Sequence, residues 1–221
     1  MGSSVAIHCD LRVAFGSTRH QGDRPTCIAF AFSDAHSAAR GAQEVLSPEH
    51  LYFHAVQRTA GADPAIGVGL PAACEALKLD GQSLEAGWPY LVSLPSNLAH
   101  WTPPAAATPL HRRQTELTDA TVAGIVTRLD AGQPVVVIFL MGERFYTPAD
   151  GIVEPGPQDA DVAYHAVIAV GHGKSASGED CILIRNSWGE DWALEGYAWI
   201  TASYLAPRLT NTVVMEPELA S

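Results

Sequence analysis

One cysteine stands where a sulfur can act as a nucleophile. Cys27 follows Pro25 and Thr26 and leads into an apolar run, Ile28-Ala29-Phe30-Ala31-Phe32. Proline suits a helix start and a threonine hydroxyl suits its cap, so the order of types predicts a helix opening at Cys27. There the positive end of the helix dipole favours thiolate over thiol. A thiolate attacks carbonyl carbon. Gln21, in the preceding loop, can aim its side-chain NH₂ at an oxyanion forming beside the sulfur. The same segment also reads as a core helix that begins with a small buried hydrophobe, the ordinary place of a free cysteine.

The groups such a sulfur needs lie far downstream. Tyr164-His165-Ala166-Val167-Ile168-Ala169-Val170 places a histidine at the start of an apolar, strand-like run, and Arg185-Asn186-Ser187-Trp188-Gly189 places an asparagine at the end of the next one. If the two strands are antiparallel neighbours, the start of one lies beside the end of the other. The imidazole would take the thiol proton and later return it to a leaving amine. The asparagine oxygen would accept from the other ring nitrogen and fix the ring, with Trp188 shielding that bond from water.

The elements that must position these groups follow from periodicity and punctuation. Residues 1–20 read as an extended arm, and 27–41 as a buried helix stopped by Gly41. A second helix opens at Ser47-Pro48-Glu49 and runs to Thr59, and a third spans about 71–80 and ends at Gly81. Residues 87–115, with Pro89, Pro95, Pro103, Pro104 and Pro109, read as a surface crossing. A helix over 119–129 precedes a buried strand over 134–140, then strands over 164–170, 181–185 and 196–201, with a loop at 171–180. Helices dominate the first half and strands the second, which predicts an α+β chain of two lobes.

Taken together, these segments resemble those of the papain-like cysteine peptidases. The resemblance rests on Gln21, Cys27, His165 and Asn186. It extends to Ala29-Phe30, Leu46-Ser47, Gly67-Val68-Gly69, Trp88-Pro89-Tyr90, Gln133-Pro134-Val135 and the closing Asn186-Ser187-Trp188-Gly189, Trp192 and Gly196-Tyr197. The Cys27–His165 spacing falls within the roughly 130–150 residues expected of that family, and Asn186 lies slightly beyond it, as an inserted loop at 173–180 would allow. The resemblance implies a helical left lobe over about 11–115 and an antiparallel, barrel-like right lobe over about 116–221 plus the arm, with the active-site cleft between them. It implies Cys27 as nucleophile, His165 as proton carrier, Asn186 as its orienter and Gln21 as oxyanion donor. Gly69, Leu70, Pro71, Ala163 and Trp188 are implied in substrate binding, and no cofactor or metal is implied.

Departures from that pattern are local. The family usually carries Cys-Gly-Ser-Cys-Trp, and here the run is Arg24-Pro25-Thr26-Cys27-Ile28. Arg24 stands in place of a disulfide cysteine, Pro25 in place of a glycine beside substrate, and Ile28 in place of a packing tryptophan. Tyr164 stands where an Asp or Asn often precedes the histidine.

Composition narrows the partners. The 221 residues carry 13 Lys+Arg against 24 Asp+Glu, a net charge of −11. That excess argues against nucleic acid and against an anionic membrane surface. The N-terminus has no basic start and no long apolar core, so it does not read as a secretory signal. Four cysteines without paired spacing point to a reducing compartment. The expected setting is cytoplasmic, or a domain of a larger delivered protein. The expected partners are a peptide or protein substrate and an inhibitor or immunity protein.

Weaker motifs do not carry a site. His50 and His54, four apart on one helix, read as a packed or solvated pair because no third ligand is near in sequence. Gly173-Lys174-Ser175 lacks the earlier glycine of a phosphate loop. Asp159 and Asp161 read as solvated loop charges, and Trp192 and Trp199 as packing. The expectation is a cysteine endopeptidase acting through an acyl-enzyme thioester. A thiol acyl-transferase on the same residues and an inactive peptide-binding scaffold remain open.

Overall fold

A computed structural model describes residues 5–41, 44–61, 63–157 and 159–219. Residues 1–4 of the expected arm lie outside the described residues. The chain divides into two compact units: one holds 1–20 and 117–214, the other 21–116 and 215–221. Residues 11–20, expected with the helices, group with the sheet.

The unit of 21–116 and 215–221 is built on α1 (Cys27–Arg40), α2 (Pro48–Gln57) and α3 (Leu70–Leu79). α1 buries every residue from Ile28 to Ser33, so it is a central helix. It stops where expected: Gly41 takes φ 61°, a left-handed cap, and its N–H bonds Ala38 O at 3.0 Å. Its start differs from expectation. Thr26 is the capping residue, but its hydroxyl makes no cap bond and instead meets Tyr90 Oη at 2.9 Å. α2 is capped as its sequence predicts, with Ser47 Oγ accepting from His50 N at 3.1 Å. α3 presents Ala73, Ala76 and Leu77 to the interior at helical spacing. The proline-rich segment is less superficial than expected. Trp88 and Trp101 are buried, and their rings lie 5.4 and 5.0 Å from that of Phe53.

The unit of 1–20 and 117–214 is built on a sheet. The strands of the sheet are β1 (Ala6–Asp10), β2 (Arg113–Leu117), β3 (Val135–Gly142), β4 (Ile152–Val153), β5 (Asp161–Lys174), β6 (Asp180–Arg185), β7 (Tyr197–Thr201) and β8 (Leu209–Glu218), of which most of β2 and the end of β8 belong to the other unit. The order is β2-β8-β3-β5-β6-β7-β4, with β1 pairing β5. The run of β2 and of β8 carries the chain from one unit into the other. The helix α4 (Val122–Asp130) packs Ile125 and Leu129 onto the sheet, and the short α5 (Ala202–Leu205) adds Tyr204 and Leu205. α4 begins three residues later than expected from Asp119, because Thr121 Oγ1 accepts from Gly124 N at 3.0 Å and sets the cap there.

Side chains two apart share one face of a strand. That rule puts Val135, Val137 and Phe139 of β3, Val167 and Ala169 of β5, Ile182 and Ile184 of β6, and Ala198 and Ile200 of β7 into one core. Burying each of the larger ones contributes about 1.5–3 kcal/mol. His165 has the parity of Val167 and Ala169, so the same alternation turns its ring toward the apolar face.

β5 is longer than expected. Gly171, His172 and Gly173 continue the strand and pair with β1, Asp10 opposite Gly171 and Ile7 opposite Gly173. A Cβ at Gly171 would lie 2.5 Å from Cys9 O, so only glycine lets β1 approach this closely. Among the described residues no helix is long and apolar enough to cross a membrane, and no group of three His, Cys, Asp or Glu side chains is arranged to hold a metal ion.

Candidate active site

Antiparallel register brings the histidine and asparagine together. Ile168 of β5 faces Arg185 of β6. One step on, Asn186 falls opposite Val167, which shares a face with His165, so the two polar side chains are diagonal neighbours. His165 Nε2 lies 2.8 Å from Asn186 Oδ1. The Ser187 backbone N–H also donates to Oδ1, at 2.8 Å. A backbone N–H requires an acceptor, so the asparagine presents its oxygen to the ring, and Nε2 carries the hydrogen. In the neutral ring the lone pair is then on Nδ1.

The surroundings are aromatic. His165 is 4% exposed, with the rings of Trp188 at 4.9 Å, Phe145 at 5.4 Å and Phe139 at 6.4 Å. Burial pulls its pKa down to about 4, against an opposing pull from the Asn186 hydrogen bond, which favours the charged ring. Trp188 is half-buried and stacks on Tyr146, at 5.3 Å and 14°. Gly189, at φ 80°, turns the chain just after Trp188, and its N–H bonds Arg19 O at 3.0 Å.

The loop that supplies Phe145 and Tyr146 is tied down by a group expected to be solvated. The Asp159 side chain is 2% exposed, pairs with Arg208 Nη2 at 3.2 Å and accepts from Arg144 N at 3.0 Å. Arg208 also reaches Asp161, at 3.1 Å. Phe145, Tyr146 and Arg208 were not singled out by sequence. They come from different elements, and nothing in their spacing joins them to His165.

The other half of the predicted set lies in the helical unit. Cys27 is the first residue of α1 and is half-buried. Gln21 is buried, and its Nε2 donates to Arg24 O at 2.8 Å, which fixes the plane of its amide. Tyr90 Oη donates to Gln21 O at 2.7 Å. Arg24, expected only as a departure at a cysteine position, is buried and forms a two-point pair with Glu49, 2.6 Å at its closest. Gly69 is the extended residue capping α3, with φ −81° and ψ 160°, followed by Leu70 and Pro71 in its first turn. Gly69 and Pro71 are exposed and Leu70 is half-buried. Ala163 is exposed, opposite Met141 across β3 and β5. Within the sheet unit the structure therefore joins His165, Asn186 and Trp188. Within the helical unit it sets Gln21 and Cys27 on one short stretch leading into α1.

Solved structures share this fold. Xylellain, a cysteine protease from Xylella fastidiosa, superposes with a TM-score of 0.79 at 19% identity, covering 96% of this chain and 87% of that one. The cysteine protease CMS1MS2 of Carica candamarcensis, in complex with E-64, gives 0.74 at 24% identity over 97% of this chain and 98% of that one. The fold is thus papain-like, α+β. The family model described as papain family cysteine protease matches residues 70–215, and the chain belongs to that family. The matched range takes in His165 and Asn186; Gln21 and Cys27 precede it. A cathepsin L-like peptidase of Aedes aegypti is 35% identical over 78 residues, 35% of this chain and 20% of that protein. Papaya proteinase 4 of Carica papaya is 48% identical over 68 residues, 30% of this chain and 19% of that protein. The chain is thus matched to about a fifth of the length of these relatives.

Proposed function

We propose that this chain is a cysteine peptidase that cleaves peptide bonds through a thioester on Cys27. His165 takes the Cys27 proton at Nδ1, and the sulfur attacks the scissile carbonyl carbon. The developing oxyanion accepts from the Gln21 side-chain amide and the Cys27 backbone N–H. The tetrahedral adduct collapses as His165 donates its proton to the amine nitrogen, and the C–N bond breaks. Water then attacks the thioester, with His165 as base, and releases the acid and the free thiol. Asn186 holds the ring's tautomer throughout. Gly69 offers backbone to an extended substrate, Leu70, Pro71 and Ala163 line the pocket for its second acyl-side residue, and Trp188 borders the histidine.

The observation that carries this reading is the Asn186 amide, held oxygen-inward by Ser187 N–H, 2.8 Å from His165 Nε2. That bond selects the tautomer whose lone pair is on Nδ1, which a general base requires. A carboxylate in its place would add charge; an amide orients without charging. A family relative is solved with E-64, so E-64 is the natural probe of Cys27. The expected result is one E-64 bound per chain and turnover of a diverse peptide library, both lost in Cys27→Ala, with turnover lost and E-64 labelling strongly slowed in His165→Ala, where the thiol has no base. Undiminished cleavage by Cys27→Ala would remove the assignment.

A further inference from the structure

The stretch 21–26 has no helix or strand of its own, so side chains must hold it. Arg24 supplies the largest tie. Its Nη1 donates to Glu49 Oε2 at 2.6 Å and its Nη2 to Oε1 at 3.0 Å, a planar fork on a carboxylate. Nη1 also donates to Leu91 O at 2.6 Å. Arg24 is 8% exposed and the Glu49 side chain is fully enclosed. The carboxylate's remaining capacity is filled by Leu91 N at 3.0 Å and Trp101 Nε1 at 2.6 Å. The guanidinium sits 5.4 Å from the ring of Tyr52 and 5.0 Å from that of Tyr90. Glu49 is the second residue of α2, so the fork anchors the loop to a helix.

The backbone of the same arginine does a second thing. Arg24 O accepts from Gln21 Nε2 at 2.8 Å and from Thr26 N at 2.8 Å. Tyr90, against the guanidinium, closes the ring with Oη on Gln21 O and beside Thr26 Oγ1. The position of the Gln21 amide is therefore set by where Arg24 sits, and Arg24 sits where Glu49 puts it.

We propose that Arg24 and Glu49 are positioning residues for catalysis, a buried ionic clamp that sets the Gln21 amide as oxyanion donor. The proposal rests on the cysteine-peptidase reading above. Two opposite charges removed from water gain little net stability over apolar side chains of similar volume, so stability alone does not account for the pair. What a bidentate fork gives is direction. A donor misplaced by a fraction of an ångström loses much of its effect on a transition state and little of its effect on binding.

The test measures kcat and KM for a peptide substrate per site titrated with E-64. Glu49→Gln is expected to lower kcat about 10–100-fold with KM little changed. Arg24→Lys, which keeps the charge and loses the fork, is expected to fall between. Arg24→Leu/Glu49→Leu, with no charge left to strand, is expected to stay folded and titratable and to share the low kcat; it carries the test if Glu49→Gln does not fold. In a Gln21→Ala background Glu49→Gln is expected to cost nothing further, because the clamp acts through that amide. Wild-type kcat in the double leucine variant, or full additivity with Gln21→Ala, would overturn the clamp. Cys27→Ala is run beside them. If it retains turnover, the peptidase reading itself has failed; if it is dead while the clamp variants keep full kcat per site, only the clamp has failed.

Discussion

At the residue scale the behaviour of His165 is a contest between two neighbours. Burial among Trp188, Phe145 and Phe139 disfavours its charged form, and the Asn186 oxygen favours it. The contest gives opposite signs for two substitutions. Asn186→Ala removes the pull that raises the pKa, so the acid limb of kcat/KM should move to lower pH, with the rate down roughly 10–100-fold as the tautomer is released. Trp188→Ala admits water to the ring, so its acid limb should move to higher pH. A pH–rate profile of each variant checks this, and shifts of the same sign would contradict it. The placement of Cys27 at a helix start and of His165 beside Asn186 was legible in the sequence, because helix-start residues mark the one and two strand-like apolar runs position the other pair. Arg24 was not legible as a functional group. Its meaning lies in Glu49, Tyr90 and the Gln21 amide, and no periodicity connects these four positions.

At the scale of elements, what was legible was whatever patterning controls. α1 to α3 and the central strands followed from apolar spacing, with Ser47 and Gly41 marking helix limits as their chemistry requires. Two departures of the structure from expectation share one cause: glycine and polar residues pattern as loop even where a neighbouring strand makes them sheet. Gly171-His172-Gly173 falls in the expected loop over 171–180, yet it is strand, because the missing side chains admit β1. β8 was missed because Thr210, Asn211, Thr212 and Pro217 hide its alternation, although Thr212 and Val213 are buried and paired with β3. Propensity is a weak guide where a neighbour decides. The β1 docking gives a prediction at this scale. Gly171→Val places a side chain against Cys9 O, and should cost about 1–3 kcal/mol. The loss should be seen as a lowered melting temperature together with faster amide exchange in β1 than in β6. Unchanged exchange in β1 would mean that the close approach is not what glycine provides.

At the scale of the molecule, both units carry histidines that the fold holds neutral, and this sets an acid limit on stability. In the helical unit His36 and His50 are buried, each with Nε2 lacking a partner among the described residues. His36 Nδ1 meets Gln82 Oε1 at 2.9 Å, and His50 Nδ1 meets Ser83 Oγ at 3.1 Å. Burial pulls both pKa values down to about 4, as it does for His165 in the sheet unit. The unfolded chain binds these protons near pH 6.5 and the folded chain only near pH 4. Stability is therefore fully present above pH 6.5, falls as pH drops toward 4, and levels off below that. Each site contributes on the order of 3 kcal/mol across that window. Against a typical margin of about 5–15 kcal/mol, losses of this order lower stability markedly in mild acid. The expected outcome is a melting temperature that declines steeply between pH 6.5 and 4.5. His36→Asn, which keeps a donor for Gln82, and His50→Asn, which keeps one for Ser83, should each flatten the decline, even if they melt lower at pH 7.5. A melting temperature level from pH 7.5 to 4.5, or an equally steep decline in both variants, would show that these rings do not control acid stability.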